Sequence, residues 1–188
     1  MRLLIILLLT LTIASCAPTF QLKKAGQGTM WDSYSVATSE DINELKAERS
    51  VMWTQDGPIL ERVEFWAPVA NDNKLPLIYA PGNDERAGKF RSDMTPEEIV
   101  ELVRNGFSLT VSTPTFIGNL QPVPFGDLQG YMIDVNLSTK DGADFKGKLL
   151  FATMEGKLMV IFFAARETHY YEARLPYFNN IVHSIKLS

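Results

Sequence analysis

The sequence predicts an α+β domain in which helices cover an antiparallel sheet, and three observations support this. Several apolar stretches separated by turn residues follow residue 107, the pattern of a β-meander. One of these stretches, 158–163, is apolar at every position, so this strand should be central and covered on both faces. Two segments with helical spacing, starting near residues 96 and 176, provide the covering helices.

The first elements are short strands. Residues 34–37 predict a strand, and 40–46 predict a polar connection or one helical turn. Residues 51–54 and 59–66 flank the turn sequence Gln55-Asp56-Gly57-Pro58, and the second run alternates in polarity. Two such runs joined by an Asp-Gly turn predict a β-hairpin.

A helix should begin at Pro96. Thr95 can cap it, proline suits the first helical position, and Glu98 stands where a capping box places its acid. The pair Asn105-Gly106 predicts the end of the helix. Its buried face consists of four residues at near-helical spacing, namely Ile99, Leu102, Val103 and Phe107.

The loops and the second half of the chain follow from turn chemistry. Residues 82–92 are polar and predict a mobile loop, while 114–126 predict an exposed apolar loop and therefore a contact site. Pro176 should open the last helix, with an apolar face at Phe178, Ile181, Val182 and Ile185. The remaining segments predict four strands, at 109–113, 130–137, 145–154 and 158–165, with turns at 140–142 and 155–157.

The N-terminus has the features of an export signal. Arg2 precedes an apolar run at 3–11, and small residues lead to Cys16 in the sequence Ile13-Ala14-Ser15-Cys16. This run is too short to span a bilayer, which requires about 20 apolar residues. The four residues resemble the bacterial lipobox. That resemblance implies cleavage between Ser15 and Cys16, acylation of Cys16, and anchoring in a membrane by its acyl chains.

The chain therefore divides into three parts. Residues 1–15 are the expected signal peptide, 16–29 the acylated cysteine with a flexible tether, and 30–188 one globular periplasmic domain. In the tether, Lys23-Lys24 could contact anionic head groups, although two charges are fewer than lipid-binding basic segments carry. Ala17 after the cysteine resembles the outer-membrane default among lipoproteins, so we expect an outer-membrane anchor facing the periplasm.

Composition excludes some classes of function. Without Arg2, 17 basic residues face 22 acidic ones, so the formal charge of the mature chain is −5, and no basic cluster is visible. Nucleic acid is therefore not an expected partner. Cys16 is the only cysteine, so the acylated domain has none for a disulfide and must rely on apolar packing.

Two resemblances bear on the class of protein. The closing stretch 177–187, Tyr-Phe-Asn-Asn-Ile-Val-His-Ser-Ile-Lys-Leu, resembles the end of PsbP-like domains, which implies an α/β/α sandwich and an accessory or assembly role. Residues 52–60, Met-Trp-Thr-Gln-Asp-Gly-Pro-Ile-Leu, together with the lipobox, resemble a group of proteobacterial envelope lipoproteins. Neither resemblance implies catalytic, cofactor or metal residues.

Histidines and serines provide few candidates for catalysis. His169 should be exposed on a connection beside aromatic neighbours, and His183 should lie at a helix end near the negative pole of the dipole. Zinc would need three or four ligands, and no His-Glu-x-x-His run exists. Ser184 and Lys186 are two residues apart instead of three, and no base is evident for Ser50 or Ser112.

Carboxylates and aromatic residues are better explained by structure than by chemistry. Asp134, Glu61 and Glu64 could form the carboxylate pair of a glycosidase, but solvated strand faces are the simpler interpretation. Six aromatic residues could line a cleft or a docking patch, although most should be core residues: Trp31, Trp53, Trp66, Tyr170, Tyr171 and Tyr177.

Three hypotheses of function remain. The first is a non-enzymatic lipoprotein whose domain binds an envelope protein. The second is a carrier or sensor of a small apolar ligand, and the third is a cell-wall or ester hydrolase with an unrecognised site. The lack of a catalytic motif favours the first, with no cofactor and no metal.

Overall fold

The computed structural model describes residues 19–76, 88–109, 113–139 and 141–188. An eight-stranded antiparallel sheet has the strand order β1-β4-β5-β6-β10-β9-β8-β7, and a second sheet has the order β11-β3-β2. The strands are β1 (Gln21–Lys23), β2 (Gly26–Met30), β3 (Tyr34–Thr38), β4 (Ile42–Ala47), β5 (Ser50–Thr54), β6 (Glu61–Val69), β7 (Thr113–Phe125), β8 (Leu128–Ser138), β9 (Asp144–Met154), β10 (Lys157–Arg166) and β11 (Lys186–Leu187). The helices are α1 (Pro96–Ser108) and α2 (Tyr170–His183).

Strand β10 is central, as its unbroken apolar run predicts. It pairs with β6 on one side and β9 on the other, and residues 158–165 are all buried. Successive side chains of a strand point to opposite faces. Leu158, Val160, Phe162 and Ala164 accordingly join the apolar cluster that includes α1, and Met159, Ile161, Phe163 and Ala165 join the cluster that includes α2. The predicted α+β class, an antiparallel sheet with two helices, is confirmed.

Helix α1 begins as predicted and ends later than predicted. The Thr95 side chain accepts a hydrogen bond from the Glu98 backbone, and the Glu98 carboxylate accepts one from the Thr95 backbone. The expected stop at Asn105-Gly106 is wrong, because Gly106 is buried inside the helix, which continues to Ser108. Phe107 explains the two additional residues, since its ring packs on Phe162 at 4.8 Å between centroids.

Helix α2 begins six residues earlier than predicted. Pro176 lies inside the helix instead of opening it. The rings of Tyr171 and Phe178 both stack on Phe163, at 5.7 and 5.0 Å, so packing on the sheet holds the helix on either side of the proline. Tertiary contacts here outweigh the local cost of proline, which is about 3 kcal/mol in a helix interior.

Three segments predicted to be irregular form strands. Residues 21–23 and 26–30, in the expected tether, are β1 and β2, so the tether prediction is wrong there. Residues 42–47 are β4 instead of a polar connection or helical turn. The expected loop at 114–126 is mostly β7, whose prolines suit a sheet edge because proline lacks the N–H that a further strand would need.

The remaining predictions have mixed outcomes. The hairpin of β5 and β6, the last three strands of the predicted meander and the turn at Glu155-Gly156 are confirmed, whereas the first strand of the meander is β7. The strand expected at 109–113 is not found at Leu109, which caps α1, and residues 110–112 lie outside the described residues. The same holds for Lys140, for 82–87 and for the predicted signal peptide with the segment that resembles a lipobox. Strand β11 was not predicted.

Candidate functional site

A cleft of about 570 Å³ lies between the β7–β8 hairpin and the C-terminal end of the chain. The hairpin contributes the end of β7, its turn and Met132 of β8. The other wall is the last turn of α2 followed by β11. The cleft is half open, and its volume falls within the range of about 300–1,000 Å³ that is typical of small-molecule sites.

The hairpin turn brings one wall close to β11. Phe125 pairs with Leu128, which leaves a two-residue turn of Gly126 and Asp127. Gly126 has φ +59°, a left-handed conformation that favours glycine. A β-carbon at this position would lie 3.2 Å from Leu187 Cγ, so glycine also allows the turn to pack closely on the last strand.

The other wall is fixed by Ser184 at the end of α2. Its hydroxyl donates to the Ile181 carbonyl at 2.7 Å and accepts from the Ala37 amide at 2.8 Å. The first bond caps the helix and the second attaches it to β3. Strand β11 then pairs with β3, placing Leu187 opposite Tyr34. The small sheet therefore sets the position of the cleft wall.

The lining separates into an apolar floor and a polar rim. The floor consists of buried or half-buried side chains, namely Val123, Met132, Val182, Ile185 and Leu187. Four exposed polar residues lie at the rim: Asp127, Asn179, His183 and Lys186. Such a site can bind an apolar group through its floor and orient it with hydrogen bonds at its edge.

Two parts of the cleft were predicted as candidates. His183 is the last residue of α2, where the sequence places it, and its exposed side chain lines the cleft. The apolar segment 114–126 contributes Val123, Pro124 and Gly126, although as a strand and turn instead of a loop. His169 is also exposed as predicted, but it precedes α2 and is not part of the cleft.

The candidate carboxylates do not form a facing pair. Glu61 is opposite Ala165 and Glu64 is opposite Phe162, so these two acids lie on different faces of the sheet. Asp134 is two strands beyond β10, on β8, and is paired with Lys148 at 2.6 Å. Glycosidase carboxyl groups need separations of about 5–9.5 Å across one substrate, and this placement of the three acids does not provide such a pair.

Both buried acids have structural partners. One carboxylate oxygen of Glu61 accepts hydrogen bonds from the Thr54 hydroxyl, at 2.7 Å, and from the backbone amides of Gln55 and Asp56. It thereby holds the β5–β6 turn. Glu64 forms an ion pair with Arg62 at 2.6 Å. These contacts explain how β6 can carry two acidic residues at buried positions.

The candidate serines and aromatic residues have mainly structural positions. Ser184 caps α2, Ser50 is buried in β5, and Ser112 lies outside the described residues. The six candidate aromatics belong to the two apolar clusters or pack against them, and none lines the cleft. Burial in this core raises the pKa of the Tyr34 and Tyr177 hydroxyls.

Sequence reasoning assigned no site role to seven lining residues: Asp127, Met132, Asn179, Val182, Ile185, Lys186 and Leu187. A signal for the first was present, since Gly126-Asp127 between two alternating runs is a hairpin-turn pattern. Asn179 lies four residues before His183 in α2, so the two side chains are on the same face of the helix. Met132 and Lys186 had no local signal, because only tertiary packing brings their strands together.

The described residues contain no group of three histidine, cysteine, aspartate or glutamate side chains that could hold a metal ion. In the same part of the chain, no helix is long and apolar enough to cross a membrane. Ser15 and Cys16, the predicted cleavage and acylation residues, lie outside it.

No protein-family model matches the chain, and no curated protein matches it. Solved structures do match. Mog1p of Saccharomyces cerevisiae, described as a Ran-binding protein, has a TM-score of 0.53 at 7% identity, with 90% of this chain and 96% of that chain covered. CyanoP, the PsbP of Synechocystis sp. PCC 6803, has a TM-score of 0.52 at 10% identity, with 93% and 96% covered. These likenesses concern the fold, and they confirm the PsbP-like resemblance at that level.

A third solved structure is LpqN of Mycobacterium tuberculosis, described as involved in cell envelope biogenesis. It has a TM-score of 0.38 at 9% identity, with 94% of this chain and 87% of that chain covered. That score is too low to establish a common fold.

Proposed function

We propose that this chain is a lipid-anchored envelope lipoprotein whose periplasmic domain is not an enzyme and binds an apolar segment of another envelope protein. Residues 1–15 are removed as a signal peptide, and Cys16 carries the acyl chains. The domain is an α/β/α sandwich of the PsbP type. The anchor holds it at the outer membrane, where the cleft receives its partner.

The observation that carries the binding role is the arrangement of the cleft lining. An apolar floor surrounded by polar groups is how protein interfaces and ligand sites are commonly built. The floor includes Val182 and Met132, and the rim offers both charge signs, with Lys186 and Asp127. A partner segment with apolar side chains flanked by polar groups complements this lining.

The positions of the polar candidates support a non-enzymatic role. A nucleophilic serine needs an adjacent base, whereas the Ser184 hydroxyl is engaged with two backbone groups. Glu61 and Glu64 are likewise engaged in holding a turn and an ion pair. Their hydrogen bonds account for these residues without any reaction.

The lipobox supports the anchor. A single acyl chain gives only marginal membrane binding, whereas the two or three chains of bacterial lipoproteins hold a protein firmly. We test this by mass spectrometry of the N-terminal peptide after expression in a bacterial host. The expected product begins at Cys16 and carries acyl chains, and Cys16→Ala should give an unacylated form. An unmodified Cys16 would overturn the anchor.

The cleft is tested with a photo-crosslinking residue at Lys186 in the full-length lipoprotein in intact envelopes. We expect one specific protein adduct, which Met132→Glu abolishes because it places a charge in the apolar floor. Ile59→Glu is the matched control, since Ile59 is 70% exposed and lies outside the cleft. A crosslinker at Lys157 should give no adduct. An adduct that survives Met132→Glu would contradict the proposed site.

A small apolar ligand is the second candidate, because the cleft volume fits one. Native mass spectrometry of the protein purified from its envelope distinguishes the two. A bound small molecule that is lost in Met132→Glu would favour the carrier or sensor function. A protein adduct without a bound small molecule would favour the binding of another envelope protein.

A further inference from the structure

Two large apolar side chains are exposed at the first strand of the sheet. Leu22 in β1 is 63% exposed, and Phe20, just before it, is 40% exposed. Strand β1 is an edge of the eight-stranded sheet, paired only with β4 within that sheet. Exposed apolar residues on an edge strand are an aggregation risk unless something covers them.

The lysines beside these residues are engaged within the domain. The Lys23 ammonium lies 5.6 Å from the Trp53 ring centroid and donates to the Gln27 carbonyl at 3.1 Å. Lys24 forms a salt bridge with Asp41 at 2.7 Å, and this hydrogen bond lowers the pKa of the Asp41 carboxyl. The edge therefore presents apolar groups beside lysines that already contact other groups of the domain.

The edge also lies close to the proposed anchor in the sequence. Gln21, where β1 begins, is five residues after Cys16. Five residues span at most about 18 Å when fully extended. A sheet edge that begins so soon after an acylated cysteine cannot move far from the lipid surface.

We propose that Phe20 and Leu22 insert into the surface of the phospholipid bilayer that holds the acyl chains, so that the β1 edge is a membrane-contact surface. This inference rests on the proposed lipid anchor. The contact is apolar, and so it does not require anionic lipids. The earlier alternative, in which Lys23-Lys24 bind anionic head groups, is less favourable because both lysines already have partners.

The short connection from Cys16 to Gln21 makes a weak contact sufficient. Two side chains alone would not hold a free domain on a membrane, but a short linker raises the effective concentration of a second contact to about the millimolar range. The acyl chains then supply the affinity, and Phe20 and Leu22 supply the orientation.

The orientation has a consequence for the cleft. Strands β1 and β7 are opposite edges of the sheet, seven strand spacings apart, which is about 34 Å along the sheet at about 4.8 Å per spacing. The cleft includes residues of β7. With β1 on the bilayer, the β7 wall of the cleft lies at the far edge of the large sheet, whereas its β11 wall belongs to the small sheet, whose strand β2 follows β1 after two residues.

The test uses the full acylated lipoprotein in phosphatidylcholine vesicles. Because Cys16 is the only cysteine and its thiol is acylated, Leu22→Cys provides a single site for an environment-sensitive fluorophore. We expect a blue shift of emission and quenching by nitroxides attached at head-group depth. Labels at Ile59→Cys and Ile117→Cys are matched controls, since both residues are exposed and apolar but lie elsewhere, and they should show neither effect.

Flotation separates this inference from the anchor. If the labelled protein floats with the vesicles and the label at position 22 behaves like those at 59 and 117, the membrane-contact surface is wrong and the anchor stands. A protein that does not float overturns both. Phe20→Cys should repeat the Leu22→Cys result, and anionic vesicles should leave it unchanged. A blue shift seen only with anionic vesicles would favour the lysines instead and contradict the apolar contact.

Discussion

The two ends of helix α2 are attached to the domain in different ways. Toward its start, Arg174 bonds to Asp56 at 2.7 Å and to Glu40 at 3.1 Å, which ties the helix to two turns. At its end, Ser184 joins the helix to β3, and the exposed His183 and Asn179 border the cleft. Arg174 at the first end fixes the helix, whereas at the second end Ser184 fixes it and the side chains of His183 and Asn179 remain accessible to a ligand.

This difference separates stability from binding. The first end is bonded through Arg174 to Asp56 in the β5–β6 turn, and the Glu61 carboxylate holds this turn by accepting from the Asp56 amide. The second end is held by the hydrogen bond from the Ala37 amide to the Ser184 hydroxyl, by the pairing of β11 with β3 and by the close approach of Gly126. Substitutions at the first end should therefore reduce stability most, and those on the cleft floor should reduce binding most.

The largest expected effect is that of Glu61→Ala. It removes the acceptor for two backbone amides and one of the two acceptors near the Thr54 hydroxyl, which keeps the Glu61 carbonyl, and Glu61 is 1% exposed. Unsatisfied buried groups cost about 1–3 kcal/mol each, and some will find water, so we expect a loss of about 3 kcal/mol in the free energy of unfolding, measured with urea.

Glu61→Gln is the matched control for this substitution. It keeps an oxygen that can accept the same hydrogen bonds, so the loss should be smaller, about 1 kcal/mol. Equal losses in the two variants would mean that the charge of Glu61, and not its acceptor role, stabilises the turn.

Glu61 also illustrates what the sequence could and could not predict. The capping box at Thr95 and the unbroken apolar run of β10 are local signals, and both elements were predicted correctly. The role of Glu61 depends on how the turn at 54–57 folds back on it, and the alternation of β6 alone predicts a solvated acid there. The cleft was predicted in part, through His183 and the segment at 114–126, because its other residues meet only by tertiary packing.

At the cleft end, Gly126→Ala should cost about 1–2 kcal/mol of stability. It forces a left-handed conformation on alanine and brings its β-carbon within 3.2 Å of Leu187. Gly142→Ala is a matched control, because Gly142 also has positive φ but nothing within 4 Å of a β-carbon. The difference between the two variants in thermal unfolding measures the close packing of the hairpin on β11. Equal costs would show that this packing contributes nothing.

Arg174→Ala should cost about 1 kcal/mol, and the loss should shrink as salt is added. Its side chain is 16% exposed and contacts two carboxylates. Arg91 provides the control, since it also contacts two carboxylates, Asp93 and Glu98, but is 50% exposed. We expect Arg91→Ala to change stability by less than about 0.5 kcal/mol. Similar losses in both variants would remove the distinction between the two ends of α2.

The smallest expected effect is a gain, at His169. This residue precedes α2 with φ +74° and ψ −53°, and the Tyr170 amide bonds to the Thr168 carbonyl at 2.9 Å, which is the geometry of a strained γ-turn. The His169 side chain makes no capping bond. Glycine adopts positive φ without a steric penalty, so we expect His169→Gly to raise the free energy of unfolding by about 0.5–1 kcal/mol.

His169→Ala separates strain from the loss of the side chain. Alanine also removes the imidazole but keeps the penalty for positive φ, so its stability in thermal unfolding should equal that of the native chain or lie slightly below it. A gain from glycine alone would show that α2 starts at a strained residue because Arg174 and the aromatic contacts on Phe163 hold the helix there. Equal stability of both variants would mean that the turn at His169 carries no strain. In that case the contacts of Arg174 and of the rings on Phe163 would not be needed to hold a strained residue at the start of α2.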